Sequence, residues 1–200
     1  FGTEHLSMYH LTFEPNTVFA KYPPAVPDDE LAFDMQETIV TLAQGAGFER
    51  YEVSAFAKPG ARARHNVNYW EFGDYLGLGP GAHGKLSFHD RIERQARQRN
   101  PENWMRSALA RDSTHIAEKR QLKTAELPFE FMLNAFRLRD GFALADYVDR
   151  TGLAMTSIQQ GLQEAEKLGL VGRDLHRVWP TEKGFDFLSD LQALFLSEAD

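Results

Sequence analysis

The 200-residue sequence contains no cysteine. That absence removes disulfides, thiolate metal sites and cysteine nucleophiles from this chain. No apolar run approaches the ~20 residues that a membrane-crossing helix needs. The first residues, Phe1-Gly2-Thr3-Glu4, lack an initiator methionine and the basic-then-apolar layout of a signal peptide. They read as a chain cut from something longer, and the cytoplasm is the expected compartment. No P-loop and no Ser-His-Asp pattern stands out. His5 and His10 have no carboxylates at metal-site spacing, so no zinc site is expected. Basic residues are outnumbered, 22 Lys and Arg against 29 Asp and Glu, for a net charge of −7. An acidic balance argues against nucleic acid as the main partner.

What is present is a core. The sequence is 42% hydrophobic and holds 15 phenylalanines, which excludes a disordered chain and supplies enough apolar surface for one large domain or two small ones. The charge is unevenly spread: residues 1–90 carry −6, residues 91–123 carry +5 and residues 124–200 carry −6. The basic stretch reads as a linker, or as a patch for an anionic group or an acidic neighbour.

Alternation over Glu4–Thr12 predicts a strand. After a proline-rich loop, Asp28 or Asp29 caps a helix with an apolar stripe of Leu31, Met35, Ile39 and Leu42, stopped by Gly45 and Gly47. Arg50–Phe56 is expected as the next strand. Strand, helix and strand in that order make a βαβ unit and imply a parallel sheet. A short strand is expected at Asp74–Leu78, a hairpin at Lys85–Ala96, and a helical or mixed connection over Asn103–Lys123. The tail differs in kind. It reads as helices at Glu126–Leu138 and Ala143–Arg150, a third capped by Thr156, a hairpin from Leu170 to Trp179, and a last helix capped by Thr181. Three helices, a hairpin and a helix predict a winged-helix-like domain. Its third helix carries Glu164, Glu166 and Lys167, which is not the basic surface that DNA requires.

Two motifs carry candidate chemistry. GPGAHG at 79–84 matches GxGxxG, but a dinucleotide fingerprint must open a helix, and the residues that follow look like strand. Two readings remain: a tight turn that needs positive φ, or a close backbone approach to a ligand, with His83 in contact. In HNVNYW at 65–70, His65 offers an imidazole able to bind haem iron. Tyr69 is a less usual axial ligand, and Trp70 is a flat apolar surface suited to a porphyrin. In a helix, His65 and Tyr69 share a face. The competing reading makes His65 a cap and the two aromatics ordinary core. Glu52 and Asp74 border these motifs, as acid–base groups or as surface charge.

Taken together, HLSMYHLTFEPNTVF, ERYEVSAFAKPG, RHNVNYW, GDYLGLGPGAHGK, PFEFMLNAFRLRDGF and TEKGFDFL resemble, in this order, the radical-SAM oxygen-independent coproporphyrinogen III oxidase-like family, and within it the HemW-type haem-chaperone branch. The resemblance spans nearly the whole chain and is weakest over 90–123. It implies an α/β fold: the C-terminal strands and helices of a partial (β/α) barrel over 1–95, a connecting segment over 96–125, and a winged-helix-like domain over 126–200. It implies S-adenosylmethionine and a 4Fe–4S cluster in the full-length protein, the cluster held by a CxxxCxxC loop that this chain lacks. Gly79, Gly81 and His83 would approach S-adenosylmethionine. His65, Asn66, Tyr69 and Trp70 would contribute to haem binding, with His65 a candidate iron ligand. The implied partners are haem, haem-accepting proteins, membrane-associated ones among them, and the missing N-terminal half. Haem delivery is favoured over oxidative decarboxylation of coproporphyrinogen III because RHNVNYW is not expected in the oxidase branch. A barrel without its early strands would expose an unpaired edge and be poorly stable alone.

Overall fold

The computed structural model describes residues 2–197 and divides into two units, residues 1–64 and residues 65–200. In the first unit, β1 (His5–Ser7) precedes a one-turn helix, α1 (Val18–Lys21). The long helix α2 (Asp29–Gly45) starts where expected, with the Leu31 amide donating to the Asp28 carboxylate at 2.9 Å. It ends at Gly45, and Gly47 turns the chain with φ +82°. β2 (Glu49–Arg50) and β3 (Ala55–Ala57) follow.

The sheet order is β1-β3-β2, and both pairings are antiparallel. This corrects the expected parallel βαβ pairing and the single strand over Arg50–Phe56. The Ser54 amide bonds the Glu52 carboxylate (3.0 Å) and the Arg50 guanidinium bonds the Val53 carbonyl (2.6 Å), so the chain folds back on itself at 51–54. Glu52 is buried, not a surface charge. The stripe of α2 also differs from expectation. Ala43 is buried with Phe48 and Phe56, against Ile39, Val40, Leu6 and Met8, whereas Leu31, Met35 and Leu42 stay exposed.

The second unit opens with α3 (Arg64–Trp70), whose first residue falls on the other side of the division. β4 (His83–Ser87) and β5 (Ile92–Arg97) form the expected hairpin. The expected strand at Asp74–Leu78 is reduced to one bridge, Tyr75 with Lys85. Asn100 caps α4 (Pro101–Ala110), and β6 (Ile116–Gln121) then adds to β5 as a third antiparallel strand. This sheet spans residues 83–121, so it crosses residue 95, where sequence reading divides the chain.

The C-terminal part runs α5 (Leu127–Ala135), β7 (Phe142–Ala143), α6 (Leu144–Thr151), α7 (Gln159–Lys167), β8 (Val171–Arg173), β9 (Arg177–Pro180), α8 (Glu182–Asp186) and α9 (Leu188–Ala193). Its sheet order is β7-β9-β8. Thr181 caps α8 as expected, but Phe187 breaks the expected single last helix in two. Thr156 lies inside a 3-10 turn and does not cap α7. The core here is large: Phe131, Phe136, Tyr147, Ile158, Leu162 and Leu191 are all buried in one cluster that also takes in Phe72 and Ile92. Arg94 and Arg120, paired across β5 and β6, both grip Glu130 of α5, at 2.6 and 3.0 Å. These bonds tie the β4-β5-β6 sheet to the C-terminal helices.

Candidate functional site

The seven residues singled out in the sequence fall in two neighbouring segments of the second unit. His65, Asn66, Tyr69 and Trp70 lie on α3, so the helical spacing of His65 and Tyr69 holds. His65 is exposed, and the other three are half-buried. The Tyr69 ring meets Trp70 at 6.3 Å and meets the Tyr75 ring edge-on at 4.5 Å. Trp70 is not a bare surface. The Arg137 guanidinium covers one face of it at 4.2 Å, a cation–π contact, and its buried indole N–H has no acceptor among the described residues.

The chain leaves α3 through Phe72, which is buried with φ +56°. A bulky side chain rarely adopts that backbone, at a cost of roughly 1–3 kcal/mol. The surroundings hold it there. Its ring packs edge-on against Phe131 at 5.5 Å, and its carbonyl accepts from the Lys85 ammonium at 2.9 Å.

Gly79 and Gly81 shape the glycine turn with φ of +101° and +72°. Gly77 answers to space instead, since a Cβ there would lie 2.4 Å from the His83 carbonyl oxygen. A Cβ on Gly79 would meet nothing within 4 Å among the described residues, so they leave the outer side of the turn open. His83 begins β4, is exposed, and lines a cavity of about 380 Å3 together with Tyr75, Arg94, Arg120 and Glu130. Tyr75 is the meeting point of the two motifs. Its ring packs on Tyr69, its phenol accepts from Arg94 at 2.9 Å, and it lines the cavity beside His83.

Asp74 is a structural acceptor in this arrangement. It takes the Ser87 amide (2.9 Å), the Ser87 hydroxyl (2.7 Å) and the Lys85 ammonium (3.1 Å). Partial burial pushes the Asp74 carboxyl up, but those three donors outweigh it and hold it below the usual carboxylate range. Burial pushes the Lys85 ammonium down, against the opposing pull of Asp74. Sequence reading missed Lys85, Tyr75 and Arg137. Lys85 closes the GDYLGLGPGAHGK motif, and that position was the one available signal. Arg137 had none, being far along the chain from Trp70.

Residues 122–187 match the model of the HemN C-terminal domain family. Over 97% of its length the chain is 41% identical to the heme chaperone HemW of Escherichia coli K12 and 38% identical to that of Haemophilus influenzae. It covers 50% and 49% of those two proteins, so the chain spans about half the length of the curated relatives it matches. The solved E. coli coproporphyrinogen III oxidase HemN, described as a radical SAM enzyme, superposes with a TM-score of 0.69 at 15% identity, over 96% of this chain and 48% of HemN. The fold is thus similar to that of the matching half of HemN. Almost the entire length of the chain is similar to about half of each of those two HemW proteins, and residues 122–187 match the HemN C-terminal domain.

A radical-SAM protein implies an iron–sulfur cluster, and the residues here do not fit one. The chain has no cysteine, and no group of three or more His, Asp or Glu that could hold a metal occurs among the described residues. No helix among them is long and apolar enough to cross a membrane.

Proposed function

We propose that this chain is the haem-binding part of a HemW-like haem chaperone. The observation that carries the reading is α3. It exposes His65 one turn before Tyr69, and Tyr69 packs on Tyr75, which lines a cavity with His83. An exposed imidazole beside half-buried aromatics can meet a porphyrin's iron and its face together. His65 is the iron ligand in this reading. Asn66 and Tyr69 flank the porphyrin, and Trp70, covered on one side by Arg137, offers only its remaining face.

The glycine turn, with Gly79, Gly81 and His83, is proposed to lie against S-adenosylmethionine, whose cluster partner is held by the half of the protein not represented here. The open space outside Gly79 supports that placement. The division into a barrel part (1–95), a connector (96–125) and a winged-helix-like domain (126–200) belongs to the same proposal. The order α5, α6, α7 and the β8–β9 hairpin supports its last member. Haem would pass to acceptor proteins, membrane-associated ones included, from the cytoplasm. Nucleic acid is not a proposed partner, because Arg173 of the hairpin is paired with Glu166 and Lys167 with Glu164.

The test uses the full-length protein that carries this chain. Loaded with hemin, it should retain about one equivalent and release it to apomyoglobin. With S-adenosylmethionine and a reductant it should leave coproporphyrinogen III intact. Decarboxylation of coproporphyrinogen III without haem retention would assign the protein to the oxidase branch instead.

A further inference from the structure

Lys85 is 1% exposed, which makes it one of the largest fully buried side chains of the chain. An ammonium has three N–H donors, and here it meets three acceptors: the Phe72 carbonyl at 2.9 Å, Asp74 Oδ1 at 3.1 Å and Ser87 Oγ at 3.0 Å. It also lies 4.0 Å from the centroid of the Phe72 ring. Burying a charge is unfavourable unless it is fully bonded, and an apolar side chain would fill the same space without that penalty. The arrangement therefore points to what the ammonium holds, not to the volume it fills.

What it holds is the exit of α3. Phe72 is the residue with strained backbone at that exit. Two residues on, the Asp74 carbonyl accepts from the Asn68 side chain at 3.0 Å, and Tyr75 packs on Tyr69 and pairs with Lys85 itself. Asn68 and Tyr69 lie in the last turn of α3, and Lys85 is the third residue of β4, which begins at His83. One ammonium thus joins the aromatic helix to the strand that carries the end of the glycine turn.

We propose that Lys85 is a positioning residue for haem: through Phe72 and Asp74 it fixes the last turn of α3, and with it the placement of Tyr69 and Trp70 against the porphyrin. The inference rests on the haem reading of α3 and adds a residue that does not touch haem. It differs from a purely structural role in one respect. Loosening the clasp changes how haem is held while the fold persists.

The experiment is a hemin titration of the full-length protein, followed in the Soret region, on the wild type, Lys85→Met, Ser87→Ala and His65→Ala. Circular dichroism and thermal melting are recorded beside it. The expected result is a folded Lys85→Met protein that binds hemin about tenfold more weakly, the equivalent of one lost charge-assisted hydrogen bond, with a displaced Soret maximum. Ser87→Ala, which removes one of the three acceptors and leaves the ammonium in place, should show a smaller displacement of the same sign. A folded Lys85→Met protein with wild-type affinity and Soret position overturns the proposal. Should Lys85→Met not fold, Ser87→Ala decides: an unchanged spectrum and affinity there overturn the proposal, and a displaced spectrum supports it. A wild type with no saturable binding, or binding that His65→Ala leaves unchanged, removes the haem reading itself and this inference with it.

Discussion

Phe131 offers the sharpest test of how the second unit is held together. Its side chain is fully buried, and its ring meets Phe72, Phe142 and Tyr147 edge-on at 5.5, 5.1 and 5.2 Å. Phe131→Ala removes the ring and leaves a cavity walled by three other aromatics that cannot all collapse into it. Core Phe-to-Ala changes cost about 3–5 kcal/mol, and three edge-on partners place this one near the upper end, about 4–5 kcal/mol. Against a typical total stability of roughly 5–15 kcal/mol, that is a large fraction. Urea unfolding read by tryptophan fluorescence suits the question, because Trp70, Trp104 and Trp179 all lie in the second unit. Phe187→Ala, at an exposed ring, is the control and should move stability by less than about 0.5 kcal/mol. A loss below about 1.5 kcal/mol for Phe131→Ala would refute the packing argument.

Three other outcomes follow from the same geometry. Gly141→Ala should cost more than about 2 kcal/mol in thermal unfolding, since Gly141 has φ +61° and a Cβ there would lie 1.8 Å from the Val178 carbonyl oxygen. The Asp74 carboxyl is held below its usual range in the folded chain, so its ionised form stabilises the fold above about pH 4, and that contribution fades as pH falls through the lowered folded value. Asp74→Asn should accordingly lower the urea midpoint at neutral pH, with a deficit that shrinks in acid; a deficit constant with pH would contradict the sign. Limited chymotrypsin digestion should cut first between residues 9 and 42, where Tyr9, Phe19, Tyr22, Phe33 and Leu42 are exposed, and spare the core around Phe131. A chain that resists cleavage throughout 1–95 would count against that expectation.

Local chemistry was legible in the sequence where it acted within a few residues. Asp28 and Thr181 cap their helices, Gly45 ends the first long one, and the hairpin of β4 and β5 lies where alternation put it. The i, i+4 relation of His65 and Tyr69 held because α3 formed over that short stretch. What the sequence hid depends on contacts it does not order. Arg50–Phe56 has the composition of one strand, and the fold-back rests on the bonds of the Glu52 carboxylate to the Ser54 amide and of the Arg50 guanidinium to the Val53 carbonyl. Strand β6, which the expected helical or mixed connection over Asn103–Lys123 did not single out, follows Arg111 and Ser113, two non-glycine residues with positive φ after α4. At the candidate site, Lys85 carries no mark beyond its place at the end of the glycine motif, and Arg137 lies far along the chain from the Trp70 ring it covers. Both work through tertiary contacts, and neither leaves a periodic mark.

Haem is proposed to bind on α3. The most direct measurement is the coordination state of bound ferric haem, read by electron paramagnetic resonance on the full-length wild type and on His65→Ala. One haem per chain is expected, with an imidazole-ligated spectrum that is lost in His65→Ala while the fold is retained. An identical spectrum in both proteins would rule out His65 as the iron ligand and leave α3 as packing alone.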